Sequence, residues 1–439
     1  MDSSIIFNPV LVSVILLCIL CLRKVNVLLA LIISALVAGK MAGMPIGKVM
    51  NIFVDGMGAN SETALSYILL GTFAAAMMHT GLTNILSDKI EKIVKNKKFV
   101  LLVILTVLAV MSQNVIPVHI AFIPILVPPL LKLMNSMKLD RRAAACALAY
   151  GLKMPYIAIP AGFGLIFQGL IAVNMTQNGM SVSTHDVCSS VWILGVAMTV
   201  GLLVAICITY RKPREYKEID EQLSDENNKT EKFNKKHLMT IFAALMTFLI
   251  QLWTKSLPLG AIVGLTIIFG TGVIKHDKTD KLIDEGIGLM GYIAFVMLIA
   301  AGFALVLKNT GGIDSLVSSL TPMMSAGKFA ATLIMLIIGL FITIGIGTSF
   351  GTIPILAVLF VPICMNLNFS VPSTIVIIAA AAALGDAGSP ASDTTLGPTS
   401  GLNADGQHNH IKDTCIPTFL HYNIALIIFA LIAVCTIFK

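Results

Sequence analysis

Charge is scarce in this chain. Of its 439 residues only 12% are Asp, Glu, Lys or Arg, about half the roughly 25% of an ordinary soluble domain. So low a share excludes a disordered chain and a nucleic-acid binder, neither of which does without dense polar or basic surface. Cysteine is rare where it would matter. Cys18, Cys21, Cys146, Cys207, Cys364 and Cys435 lie inside apolar runs, and only Cys188 and Cys415 stand near loop edges. That spacing gives neither a disulfide framework nor a zinc site. The C-x-x-C of Cys18 and Cys21 falls on a lipid-length helix and reads as small apolar packing. No G-x-x-x-x-G-K-[ST] occurs, so nothing points to ATP as the energy source. The acidic start Met1-Asp2-Ser3-Ser4 lacks a basic n-region, so no cleavable signal is expected.

What the chain has is apolar length. Hydrophobic residues make up 56% and the mean hydropathy is +0.90, which predicts an all-α polytopic membrane protein whose first partner is the lipid bilayer. A spanning helix needs about 20 apolar residues. Ten stretches qualify: 5–22, 25–42, 63–81, 143–171, 187–210, 238–254, 259–274, 289–307, 373–401 and 414–438. Two blocks, 99–134 and 329–365, do not fit that template. Phe99 to Met111 is too short to cross, and Ser112-Gln113-Asn114 followed by Pro117 turns the chain back. These blocks read as re-entrant hairpins.

The basic residues then set the orientation. With the N-terminus outside, 23 Lys and Arg fall on cytoplasmic segments, six on outer ones and Lys153 alone within a span. Both termini are expected to be extracytoplasmic, in the cytoplasmic membrane of a bacterium. The amphipathic stretch 82–98 is expected to lie flat at the cytoplasmic interface.

A repeat emerges at an offset of 230. Asp55-Gly56-Met57-Gly58 returns as Glu285-Gly286-Ile287-Gly288, Thr80-Gly81 as Thr310-Gly311, Lys98-Phe99 as Lys328-Phe329, and Ile123-Pro124-Ile125-Leu126 as Ile353-Pro354-Ile355-Leu356. A small insertion then pairs Gly151 with Gly385 at 234. Each unit, 1–210 and 238–439, holds five crossings and one hairpin, and an odd number of crossings inverts the second copy. The units are joined by a solvated linker, 211–237, with eight basic and seven acidic residues.

Non-helical backbone at membrane depth must be buried in protein or line a wet cavity, and solutes bind there. Four interruptions are expected to converge on one cavity: Ser112 to Pro117, Lys153 to Gly164 with its break at Pro155, Gly345 to Thr352, and Gly385 to Pro398 with Gly385 and Pro390 as breakers. The last offers Asp386, Ser389, Ser392, Asp393, Thr394 and Thr395, hard oxygen ligands for a sodium ion at Asp386, Asp393 and Thr394, or a carboxylate for a proton. Lys153, an ammonium in an apolar helix, is expected to pair with Asp386 or Asp393, a cation or substrate competing for that carboxylate. Snorkelling to the cytoplasmic interface is its alternative. His119 is a candidate proton acceptor. Ser112, Gln113 and Asn114, with Thr348, Ser349 and Thr352 opposite, supply neutral donors and acceptors for an ion or a zwitterionic solute.

From Gly385-Asp386 to Thr395 the chain resembles the NhaC-type sodium/proton antiporter family. Every fixed position of its G-D-x-x-S-P-x-S-D-T-T signature is present: Gly385, Asp386, Ser389, Pro390, Ser392, Asp393, Thr394 and Thr395. With its hairpins the whole chain also resembles the wider ion transporter superfamily, which implies a dimerising scaffold and a mobile transport domain with an elevator-like movement. Gly151-Leu152-Lys153-Met154-Pro155-Tyr156 is similar to an amino-acid, histidine-type permease subgroup. The resemblance implies an ion-coupled secondary transporter with no cofactor beyond a transported sodium ion or proton, and either sodium/proton antiport or amino-acid uptake. The enzyme alternative, an intramembrane aspartyl protease, needs a G-x-G-D motif. Residue 383 is Ala and no second mid-helix Asp is present, so no enzyme is expected. Paired closed hairpins likewise favour alternating access over a channel.

Overall fold

The computed structural model describes residues 7–94, 97–114, 122–217, 234–254, 256–274, 276–324 and 327–438. Among these the secondary structure is helical. The first nine helices are α1 (Pro9–Leu22), α2 (Val27–Met41), α3 (Ile46–Met57), α4 (Ser61–His79), α5 (Leu82–Val94), α6 (Lys98–Asn114), α7 (Phe122–Ser136), α8 (Arg141–Ala158) and α9 (Phe163–Gln177). A tenth, α10 (Thr184–Val204), continues into a π-helical turn, Ala205–Thr209. Then come α11 (Lys235–Thr254), α12 (Leu257–Gly270), α13 (Thr279–Asn309), α14 (Gly312–Met324), α15 (Lys328–Ile346), α16 (Ser349–Asn366), α17 (Val371–Ala383), α18 (Asp393–Leu402) and α19 (His410–Ile437). Polar residues beside apolar runs set the starts. Asn8, Asn26, Asp140, Ser183, Ser370 and Ser392 each accept a first-turn amide of the helix that follows. The amphipathic α3, with Val49, Phe53 and Gly56 buried on one face, is an element that hydropathy alone passes over.

Packing follows the 230 register. Gly56 of α3 lies against Ala301, Gly302 and Leu305, while Gly71 of α4 lies against Gly286 and Met290. Numbers rise along one partner as they fall along the other, so α3–α4 and α13 cross antiparallel, and Gly286 is Gly56 plus 230. Each glycine matters for its missing Cβ, which would come within 2.6 Å of the Gly286 carbonyl oxygen at Gly71 and within 2.8 Å of Leu305 at Gly56. The α6–α8 contact repeats as α15–α17 with its residues exchanged. Gly151 packs on Ala109 in the first, and Gly339 packs on Ala381 in the second; both numbers of each pair differ by 230. The register therefore runs unchanged through these helices, and α9 and α18 begin at 163 and 393. The step to 234 is not needed.

Two details of the interruptions differ from expectation. Helix α6 runs through Ser112, Gln113 and Asn114 rather than breaking at them, because polar side chains at a helix end do not remove its amide donors. Pro117 and His119 lie outside the described residues, as do the side chains of Ser112, Gln113 and Asn114. Pro155 does not break its helix: it sits in the last turn of α8, where its carbonyl still accepts the Ile159 amide at 2.8 Å. The interruption is Ile159–Gly162. Pro160 forces Ile159 to be extended, at φ −108° and ψ 121°, and Gly162 takes φ +55°. Across it α8 and α9 bend by 47°.

In the second copy α15 and α16 are each long and apolar enough to cross a membrane, yet their connection is an interior one. Gly347, left-handed at φ +77°, closes α15, and both Gly347 and Ser349 are buried. The last break, 384–392, turns on Gly385 and Gly388 at φ +81° and +98° and contains Pro390.

Candidate functional site

The two broken helices meet head to tail. Arg141, at the start of α8, donates to the Leu402 carbonyl at 3.0 Å and pairs with Asp405 at 2.6 Å, beyond the end of α18. Three turns further along α8, Lys153 Nζ donates to the Ala383 carbonyl at 2.5 Å, at the end of α17. The breaks are thereby held at one level. The axis relating the two copies passes between them, since 383 is 153 plus 230.

At this crossing lies one carboxylate with a crowded set of donors. Asp386 Oδ2 accepts from Tyr156 Oη at 2.8 Å, Ser349 Oγ at 2.9 Å and Lys153 Nζ at 3.1 Å. Oδ1 accepts from Ser392 Oγ. Tyr156 Oη and Ser349 Oγ lie 2.9 Å from each other. Asp386 and Lys153 are 2% and 1% exposed, so neither can reach bulk water, and the snorkelling alternative for Lys153 does not hold. A charge so placed is tolerated only when paired and fully hydrogen-bonded, and this one is.

The predicted oxygen ligands gather beside it. Thr394 Oγ1 lies 2.9 Å from Ser392 Oγ and donates to the Asp386 carbonyl at 3.2 Å, while Ser392 Oγ is 3.4 Å from Asp393 Oδ1. Asp393 opens α18 and is half-buried. Ser389 and Thr395 brace the loop instead. Ser389 Oγ donates to the Ile344 carbonyl of α15 at 3.4 Å, and Thr395 Oγ1 donates to the Ser389 and Ser392 carbonyls at 2.5 and 2.9 Å. Thr352 bonds back to the Ser349 carbonyl at 2.8 Å, and Thr348 caps α16 in extended backbone. Neither reaches Asp386 by hydrogen bonding. Asn423 of α19 steadies the loop by donating to the Ala387 carbonyl at 3.0 Å.

Tyr156 was not singled out by sequence, since a tyrosine in an apolar helix resembles packing. Its signal was the register, for 386 is 156 plus 230. Tyr156 also belongs to an aromatic group with Phe167 and Phe350, its ring centroid 5.2 Å from each, and Phe163 joins through Phe350 at 6.3 Å.

Residues 147–434, which hold both breaks and the Lys153–Asp386 pair, match the model of the Na+/H+ antiporter family. The chain belongs to this family. A second Na+-H+ antiporter family model matches residues 8–94 of the same antiporter-family chain. Among relatives, a membrane protein of Vibrio parahaemolyticus is 46% identical over 438 residues, covering 97% of this chain and 99% of its own. YuiF of Bacillus subtilis, provisionally named an amino acid transporter, is also 46% identical, with the same coverage of both chains. Solved structures similar to this family member include MtrF of Neisseria gonorrhoeae, described within a class of antimetabolite efflux pumps. It has a TM-score of 0.45 and 14% identity, over 89% of this chain and 84% of that one. The YdaH transporter of Alcanivorax borkumensis has a TM-score of 0.44 and 11% identity, over 89% and 88%.

Proposed function

We propose that this membrane transporter is an ion-coupled secondary carrier of the cytoplasmic membrane in which a cation or proton competes with Lys153 for Asp386. The buried Lys153–Asp386 pair carries the reading. Breaking such a pair without replacement costs about 3–5 kcal/mol, so the ammonium leaves only when another positive charge arrives. With both ionised, Asp386 and Asp393 carry two negative charges, and Lys153 answers one of them. A sodium ion at Asp386, Asp393 and Thr394, or a proton, balances the remainder. Oxygen ligands from Ser392 and Thr394 suit sodium. Alternating access follows if the loop carrying Asp386 moves with the hairpin tips at Ser349 while the α3–α4/α13 crossing stays fixed, an elevator-like movement in a homodimer. The re-entrant character of both hairpins belongs to the same proposal.

One observation favours a second solute class. The Tyr156, Phe167, Phe350 and Phe163 rings beside Asp386 offer an apolar wall that a bare ion does not need, and the relative YuiF bears the name of an amino acid transporter. Coupled uptake of an amino acid, with its ammonium group taking the place of Lys153, uses the same pair.

Purified protein in liposomes separates the two. A sodium gradient that moves internal pH without organic solute supports antiport. Uptake of labelled histidine, lysine or a dicarboxylate that requires Asp386 supports a permease. Full transport by both Lys153→Ala and Asp386→Asn overturns the role of the pair.

A further inference from the structure

Two imidazoles that the pair does not use are joined by a line of hydroxyls. His408 Nε2 lies 2.7 Å from Thr414 Oγ1, Thr414 Oγ1 lies 2.9 Å from Thr399 Oγ1, and Thr399 Oγ1 lies 2.8 Å from His410 Nδ1. His410 Nε2 then rests 2.9 Å from the carbonyl oxygen of Pro390, inside the loop between Asp386 and Asp393. The line exists because α19 opens with a π-helical turn, His410–Cys415, which puts His410, Thr414 and Cys415 on one side facing α18. Thr414 is 0% exposed and His408 2%.

The outer end keeps a buried, unpartnered ring nitrogen on a residue that lines a cavity. His408 Nδ1 has no hydrogen-bond partner among the described residues, and His408 lines a cavity of about 480 Å³ with Asn403, Gln407, Asn409 and Asp413. The inner end reaches a second cavity. His410 and Thr399 line a space of about 580 Å³ whose α18 wall begins at Leu396. Asp393 stands three residues before Leu396 on the same helix face, one turn beyond that wall.

We propose that His408, Thr414, Thr399 and His410 form a proton relay between the loop-side cavity and the Asp386–Asp393 site. The proposal rests on the proton-coupled reading of that site. A proton arrives on His408 Nδ1 as the proton on Nε2 passes to Thr414. Once the Thr399 hydroxyl, which donates to Thr414 in the structure, turns to His410 Nδ1, the Thr414 proton passes to Thr399, the Thr399 proton passes to His410 Nδ1, and the His410 Nε2 proton leaves for Asp393 through cavity water. Each member accepts one proton and gives one up, which keeps the proton count but leaves both imidazoles in the opposite tautomer and both hydroxyls turned. Return of the ring protons and rotation of the hydroxyls reset the line before the next proton. Imidazole and hydroxyl are the side chains able to do both.

The charges around the relay come from every element packed on it. Asp413 and His410 face His408 from α19, Arg141 from α8 and Arg214 from the linker, and Asp405 is held by Arg141. Burial, and after it the two guanidiniums opposing Asp413, push the His408 imidazole down to about 4. At neutral pH it is therefore uncharged and passes protons without storing them. Lys24 and Lys412 line the larger cavity without touching the chain.

Thr399→Val and His408→Gln interrupt the line while keeping size and fold. A pH dye inside liposomes reads proton movement driven by a sodium gradient, and calorimetry reads sodium binding. Both variants are expected to slow proton movement about tenfold or more and to shift its pH profile, with sodium affinity within about twofold of the parent, and Thr399→Ser is expected to restore the rate. Proton movement at parental rate and profile in both variants overturns the relay alone. A parent protein that carries solute without moving protons overturns the proton-coupled reading, and the relay with it.

Discussion

At the scale of single residues, the site depends on one charge being answered by another in a dry interior. Lys153→Ala leaves Asp386 with three hydroxyl donors and no cation, so the folded protein should lose about 3–5 kcal/mol. Thermal unfolding in detergent measures this, and added sodium should recover part of the loss in the variant more than in the parent. An unchanged melting temperature would contradict the pairing. Tyr156→Phe removes one neutral-to-charged hydrogen bond, worth about 1.5–3 kcal/mol, and should weaken sodium binding while leaving the aromatic packing in place. Lys153 and Asp386 were both legible in the sequence, because an ionisable group in an apolar run announces itself by its cost. Tyr156 and Asn423 were not. Their value lies in what they touch across the fold, and an uncharged polar group within a hydrophobic helix carries no comparable cost to reveal it.

At the scale of elements, hydropathy located nearly every helix but misjudged where some of them stop. Pro155 looked like a breaker, yet the stop belongs to Pro160 and Gly162, since Pro155 forfeits only the one bond its missing amide would make, while Ile159 before Pro160 is extended and Gly162 is left-handed. The re-use of one packing solution offers a direct test. Gly339→Ala alone brings a Cβ to 2.4 Å from that of Ala381, and such overpacking costs roughly 1–3 kcal/mol. The double variant Gly339→Ala/Ala381→Gly copies the Ala109–Gly151 arrangement of the first unit and should recover most of the loss. A double-mutant cycle on unfolding reads the coupling, and additive losses would show that the two contacts are not equivalent.

At the scale of the whole molecule, the start of the linker fastens the two copies together. Arg214 bridges Asp413 at 2.8 Å and Asp140 at 3.7 Å, Tyr216 Oη accepts the Arg141 amide at 2.9 Å, and the Arg141 guanidinium stacks over the Tyr216 ring at 4.3 Å. His408 is buried at this junction, with its ordinary value near 6.5 lowered to about 4. Its contribution is complete above pH 6.5 and is lost as pH falls toward 4, because the unfolded chain takes up the proton first. The parent should therefore lose up to about 3 kcal/mol between these values, and His408→Gln should flatten the melting curve across pH 7.5, 5.5 and 4.5. The same face carries the orientation test: a cysteine at Gln407 should react with impermeant thiol reagents only from the cytoplasmic side, and one at Asn178 only from the outside. The head-to-tail meeting of α8 with α17–α18 has one further consequence. Two identical polypeptides arranged about that axis would carry matched acids and amines in duplicate. Fusing the copies let Ala383 stand opposite Lys153 and Tyr156 opposite Asp386, so the crossing holds one amine and one acid where a symmetric pair of chains would have to hold two of each.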